Sequence, residues 1–305
     1  MNVAKYLDHW LATAVKPTLR AKTYLRYEGI VRLHIKPHIG GVSLQQLQPS
    51  QVQALYSHLD QVAGASPRSR QQVHAVLRCA LEQAVKWEYV IRNVCEAVTK
   101  PLAPRKEMRV LTAENVGHFL EAAKDDRYQA VWVLAIMTGM RLGEILGLQW
   151  QDVDLNDAAI SVRHTLVDLG NRRELGEPKT SKGRRKVDLP QLAVLALREH
   201  RKHMFAEGHS HGWVFCDTKG GSMRQGNLRR RHFVPLLARA GVPPVRIHDL
   251  RHSFASTSAR AAAESRARVP AATPGRRART PSRGRRAAIP CRVGITARTL
   301  TPASI

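Results

Sequence analysis

Three stretches of this sequence carry the residues best suited to acting on a phosphate. Arg141 stands at the mouth of a helix in TGMRLGEILGLQW (residues 138–150), directly after the apolar run VWVLAIM and a Gly turn. An arginine placed there can offer a bidentate fork to phosphate oxygens, helped by the exposed amides of the helix that follows. The same spacing also permits an i,i+3 ion pair with Glu144. In HDLRHSFAS (residues 248–256), His248 and Arg251 are three residues apart. On a helix they share one face, which sets a proton donor or acceptor beside a second guanidinium. Leu250 and Phe254, four apart, would face the core. Between these boxes, PKTSKGRRKVDLP (residues 178–190) reads as a β-hairpin with a basic turn, and its Lys182, Arg184 and Arg185 are candidates for contacts to a nucleic-acid backbone.

These groups need a scaffold, and the apolar pattern supplies one. Residues 3–95 read as helices only: Val3, Tyr6, Leu7, Trp10 and Leu11, then Tyr24, Tyr27, Ile30, Val31 and Ile35, recur at intervals of three and four. Pro17 and Pro37 are expected to close these two segments. A third helix starts at Pro49-Ser50 and a fourth after Ser66-Pro67, giving a four-helix module with Arg20, Arg26 and Arg70 among the cations of its polar faces. The stretch AVTKPLAPRKEM (residues 97–108) has two prolines, three cations and no apolar period, so it reads as a linker. Beyond it, helices are expected near 113–123, 127–138, 141 onward, 192–205 and 227–240, with a last one opening near His248. Strand signals appear at 160–162, 174–175 and 185–189. The fold class is therefore mainly α with a small antiparallel β-sheet (α+β), divided as 1–96, a linker 97–108, a second domain 109–258 and a tail 259–305.

Composition points the same way. The formal charge of +25 over 305 residues, from 49 Lys and Arg against 24 Asp and Glu, suits a polyanionic partner, with duplex DNA first and a membrane surface second. No metal site is expected, because Cys79, Cys95, Cys216 and Cys291 show no paired spacing and no histidine cluster accompanies them. The N-terminal MNVAKYLDHW lacks a signal-peptide layout, and no apolar run approaches the ~20 residues of a membrane span. A cytoplasmic protein is expected, with no membrane partner and no small-molecule substrate. From Ala259 the vocabulary changes: 11 Arg and one acid, Glu264, occur with many Ala and Pro and no aromatic residue. Such a segment cannot bury enough apolar area to offset its chain entropy, so disorder is expected. An Arg/Ala/Pro text that begins in mid-helix is what an out-of-frame translation of a GC-rich gene gives; a basic arm on DNA is the other reading.

The boxes around Arg141 and His248-x-x-Arg251, with the basic stretch between them, resemble the tyrosine recombinase (phage integrase) family, which breaks and rejoins DNA through a covalent phosphotyrosine. The resemblance covers residues 1 to about 256. It implies an N-terminal SAM-like core-binding domain, an integrase-like catalytic domain, duplex DNA as partner, other recombinase protomers, and no cofactor. It further implies that Arg141 and Arg251 stabilise charge on the phosphorus and that His248 manages a proton on the nucleophile side. Lys179, with Lys182 as rival, would protonate the leaving 5′ oxygen. The sequence then departs from the family. His252 is its last histidine, Trp213 its last tryptophan and Tyr128 its last tyrosine, so the late catalytic His or Trp and the nucleophile are both absent. Tyr128 precedes Arg141 on an apolar helix, where a packing role is expected. The expectation is a recombination-family protein that clamps a scissile phosphate without cutting, the alternative being a non-catalytic DNA-binding regulator or a subunit that borrows a tyrosine in trans.

Overall fold

The computed structural model describes residues 1–61, 63–104, 110–178, 183–209 and 212–251. Lys179, Lys182, Phe254 and the tail 259–305 lie outside the described residues, as does part of the stretch expected to link the domains. The described chain is mainly helical with small antiparallel sheets.

The first 95 residues bury one apolar cluster, built on Tyr6, Leu7, Trp10, Ile35, Leu55, Leu59, Leu77 and Leu81. Four helical runs supply it. The first is Val3–Trp10, started by the Asn2 side chain accepting from the Lys5 N–H. Pro49–Gln61 and Pro67–Lys86 form the third and fourth, the latter capped by Ser66. The first two runs end one and two residues beyond Pro17 and Pro37, at Thr18 and Ile39, so each proline sits within the last turn and not after it. Val3–Trp10 continues through a π-turn, Leu11–Val15, into Lys16–Thr18. Ala21–Ile30 continues likewise through Val31–Ile35 into Lys36–Ile39. A proline lacks an N–H and its ring crowds the carbonyl four residues back, and a turn of wider pitch relieves both faults. In each case the residue before the proline, Lys16 or Lys36, donates to the carbonyl five residues back, Leu11 or Val31. Pro235 repeats the device: Gln225–Leu228 passes through the π-turn Arg229–Phe233 into Val234–Arg239.

Residues 111–250 bury a second cluster. Its centre is Gln129–Met137, buried almost all round, against which Ala113–Ala122 and Gln191–Ala206 pack. Phe119, Trp132 and Phe233 meet edge-on or tilted at centroid distances of 5.4–6.2 Å. Two sheets flank this core. β1 (Val153–Asp154), β2 (Ala159–Val162) and β5 (Arg185–Asp188) form an antiparallel sheet in the order β1-β2-β5, and β3 (Thr165–Asp168) pairs with β4 (Arg173–Gly176). Of the hairpin expected over residues 178–190, residues 179–182 lie outside the described residues, and only its second arm can be placed. That arm pairs back to β2, with Val162 opposite Arg185, and the strand before it belongs to the other sheet. The apolar face of Ile160 and Val162 decides this, because only pairing with β2 covers the core with β5.

The short helix Leu142–Leu146 lies close against β3. Glycine permits the approach: a Cβ on Gly147 would stand 2.9 Å from the Leu166 backbone nitrogen and 3.2 Å from the Thr165 carbonyl carbon. The turn before this helix needs Gly139, which sits at φ +60. Gly147→Ala should cost about 1–3 kcal/mol in urea unfolding, since the neighbour is backbone and cannot swing away. Gly117→Ala, on an exposed helical position with nothing within 4 Å, should instead gain about 0.5–1 kcal/mol.

Candidate phosphate site

Arg141 is the N-cap residue of Leu142–Leu146, and Glu144, one turn on, reaches back to it. The Arg141 backbone N–H donates to Glu144 Oε2 at 3.0 Å and its Nη1 donates to Oε1 at 2.7 Å. This is the reciprocal half of a capping box, an N3 acid on the N-cap amide. Glu144 is 2% exposed, so its charge has to be compensated by the protein. A second compensating group comes from β5, where Arg185 Nη2 donates to Oε2 at 2.8 Å. Burial by itself pushes the Glu144 carboxyl up. The hydrogen bonds from Arg185 and Arg141 outweigh that and hold it below the usual glutamate range.

The second box is built by the same device. A helical turn runs over residues 247–251, and buried Asp249 accepts the Arg246 backbone N–H at 3.0 Å. Arg246 closes a two-pronged fork on the same carboxylate, Nε to Oδ2 and Nη2 to Oδ1, each at 3.0 Å. Burial raises the Asp249 carboxyl, and Arg246 more than reverses it. His248 is exposed on this turn, Leu250 is fully buried as its spacing requires, and Arg251 is half-buried.

The charge of Arg141 acts on Arg251, 110 positions further along the sequence. The Arg251 guanidinium is depressed first by its own burial, then by the charges of Arg141 and Arg185, with Glu144 acting in the opposite sense. Its Nη1 is buried and has no hydrogen-bond partner. A buried charged donor left without an acceptor is costly, and a cluster of three guanidiniums around one carboxylate keeps two positive charges in excess. The arrangement suits an anion with several acceptor oxygens.

The remaining candidates fall in different places. Arg185, expected to touch nucleic-acid backbone from an exposed turn, is committed to Glu144 inside the site. Arg20 donates to the backbone carbonyls of Glu177 and Pro178. Arg70 is paired with Asp60 at 2.7 Å, its side chain 19% exposed, so it braces the helical module and is not an open cation. Arg184 pairs with Glu177 on the surface, and Arg26 is exposed on its helix. Tyr128 has the packing place its helix suggests: it is 2% exposed, its hydroxyl donates to the Cys216 carbonyl at 3.1 Å, and burial raises it. Sequence reasoning missed Asp249 and the link from Arg185 to Glu144. The first had a signal, an acid three residues after the helix start; the second had none, because it depends on strand pairing. Among the described residues, no group of three or more His, Cys, Asp and Glu could hold a metal ion, and no helix is long and apolar enough to cross a membrane.

A helical module is followed by an α+β half that sets Arg141 and Arg185 on one buried carboxylate and leaves Arg251 Nη1 without a partner. The phage integrase family model matches residues 109–267, just over half of the sequence, and that of the phage integrase N-terminal SAM-like domain matches residues 2–59; the chain belongs to the phage integrase family. It is similar to a tyrosine recombinase XerC-like protein of Caldanaerobacter subterraneus, with 29% identity over 84% of this chain and 72% of the relative. It is also similar to the ICEBs1 integrase of Bacillus subtilis, with 26% identity over 75% of this chain and 64% of that one. In fold it matches the Tn1549 transposon integrase solved with a circular intermediate DNA, with a TM-score of 0.73, 19% identity, and 86% and 88% of the two chains covered. A lambda integrase dimer bound to a core site matches with a TM-score of 0.64, 18% identity, and 84% and 86% covered.

The Glu144 shift gives a pH dependence with a definite sign. A carboxyl held below its ordinary value stabilises the fold fully above the unfolded value, and that stability drains away as pH falls through the folded one. Chemical denaturation midpoints of the wild type should therefore drop on acidification below about pH 4.3. Glu144→Gln should show a shallower drop over the same range, though a lower midpoint near neutral pH.

Proposed function

We propose that this chain is a site-specific recombination protein that grips duplex DNA and clamps the scissile phosphate without cutting it. The observation that carries the reading is the buried, unpartnered Arg251 Nη1 beside the charges of Arg141 and Arg185. Two guanidiniums close enough for their charges to act on one another could hold a phosphodiester and the extra negative charge of its pentacoordinate state, the work that a metal does in other phosphoryl-transfer sites. His248 would manage a proton on the side of the attacking group and Lys179 on the side of the leaving 5′ oxygen. Residues 1–96 and 109–258 would close on the duplex as two arms, and the net charge of +25 would draw them to it. Related integrases are solved on DNA as dimers and tetramers, which supports duplex DNA and further recombinase protomers as the partners. Cytoplasmic DNA would be the substrate.

The residue supply within these 305 residues supports the non-cutting part of this reading. No tyrosine follows Tyr128 in this sequence, and Tyr128 is bonded into the core. The same supply supports a second reading, in which another protomer lends its tyrosine to Arg141 and Arg251.

A gel shift on duplex DNA across a salt series tests the first part. Log affinity should fall steeply with log salt, and Arg141→Ala or Arg251→Ala should each flatten the slope by about one. Binding indifferent to salt would overturn it. A nicked suicide duplex tests the second: a detergent-resistant protein–DNA adduct on this chain alone would refute a non-cutting clamp. An adduct on a tyrosine-bearing, arginine-deficient partner, formed only when this chain is added, would establish the loan in trans.

A further inference from the structure

The guanidiniums of the site differ in what else holds them. Arg141 gives Glu144 both a side-chain and a backbone donor, Arg185 gives it one more, and Arg251 Nη1 gives to nothing. With Arg141 as its only partner, the carboxylate would cancel the charge it is meant to position, and would compete with a phosphate for the same fork. Arg185 changes that balance. It stands at the first residue of β5, opposite Val162, so a paired strand fixes its backbone, and its side chain is 30% exposed. The three guanidiniums and one carboxylate leave two net positive charges; without Arg185 they leave one. The charge of Arg185 also reaches Arg251, whose guanidinium responds to it.

We propose that Arg185 is a positioning residue of the phosphate site: by neutralising the buried Glu144 carboxylate it leaves Arg141 and Arg251 charged and available to phosphate oxygens. It acts through Glu144 and need not touch the phosphate itself. Glu144 in turn keeps Arg141 at the helix mouth through the N-cap hydrogen bond. The carboxylate orients, and the strand arginine removes the electrostatic penalty of that orientation. This rests on the phosphate-clamping reading above and assigns the residue that sets the charge of the clamp.

The test uses the full chain and orthovanadate, a phosphate analogue that takes up five-coordinate geometry. The site is followed through the Nε–Hε NMR resonance of Arg251, assigned by its loss in Arg251→Lys, so that arginines elsewhere do not contribute to the readout. Orthovanadate should shift this resonance in the wild type. Arg185→Met should weaken the response about tenfold, the scale of one lost charge-assisted interaction. Arg185→Lys should retain most of it. Glu144→Gln combined with Arg185→Met should restore the affinity to within about threefold, because removing the carboxylate removes the need for its neutraliser. A merely structural arginine would not be rescued in this way. If the wild-type resonance does not respond, the phosphate site itself is refuted and this inference with it. If it responds and Arg185→Met responds equally, or the double variant stays as weak as Arg185→Met, the site stands and the role of Arg185 is refuted. Should Arg185→Met alone fail to fold, the double variant carries the comparison, since it buries no unpaired carboxylate. Folded and binding, it supports the role; folded and not binding, it refutes it.

Discussion

A buried carboxylate that two arginines share is the constraint around which the C-terminal half is arranged. Glu144 is almost wholly removed from water, and an ion in that position is tolerable only with charge and hydrogen bonds on both of its oxygens. Oε1 receives the Arg141 guanidinium, and Oε2 receives the Arg141 amide and the Arg185 guanidinium. Satisfying it ties three separate pieces together: the Gly139 turn, the helix it starts, and the strand that carries Arg185.

The scaffold follows from that tie. The helix after Arg141 can reach the sheet region only because Gly143 and Gly147 present no Cβ to β3, where one would meet Thr165 Oγ1 at 2.7 Å or the Leu166 nitrogen at 2.9 Å. β5 pairs with β2, and this register delivers Arg185 to Glu144. The second box uses an equivalent anchor, with Asp249 gripping Arg246 by amide and guanidinium, so the turn that carries His248 and Arg251 starts at a fixed residue. In both boxes a buried acid three residues in holds the arginine at the helix mouth. A helix end that would otherwise fray becomes a rigid mount.

Much of this could be read from the text, and the limits of that reading are physical. Helix positions in both halves follow from apolar spacing because each helix buries one face, or nearly all faces in Gln129–Met137. That the charge of Arg141 acts on Arg251 was expected through resemblance rather than geometry, since no local pattern reports an interaction across 110 positions. Pro17 and Pro37 marked the ends of their runs to within two residues but not the π-turns that precede them, because a proline rule stated for α-turns does not cover a wider turn that absorbs the ring. In the 178–190 stretch a basic run flanked by strand-like residues does not say which strand its second arm will join; the apolar face of Ile160 and Val162 decides that, from outside the run. Arg70 and Arg185 read as open cations because sequence lists charges without their partners, and Asp60 and Glu144 are those partners.

The ion pair of Arg141 with Glu144 and the gripping of a phosphate look like rival fates for one arginine when only spacing is considered. Under the proposed reading they would be successive parts of one function. A guanidinium has five donors, and Arg141 spends one on Glu144 Oε1 while its side chain remains 45% exposed. The pair fixes where the fork points; the exposed edge is what a phosphate would meet. Arg251 is the converse case, half-buried with one donor unfilled and its charge opposed by two like neighbours. Packing like charges together in this way costs stability unless something outside the described chain compensates it, and a phosphodiester brings both the negative charge and the acceptor that Arg251 Nη1 lacks. Nothing in that balance draws on a tyrosine. Under the proposed reading, holding a phosphate and attacking it would be separable properties of this architecture, because Tyr128, the last tyrosine of the sequence, is bonded into the core.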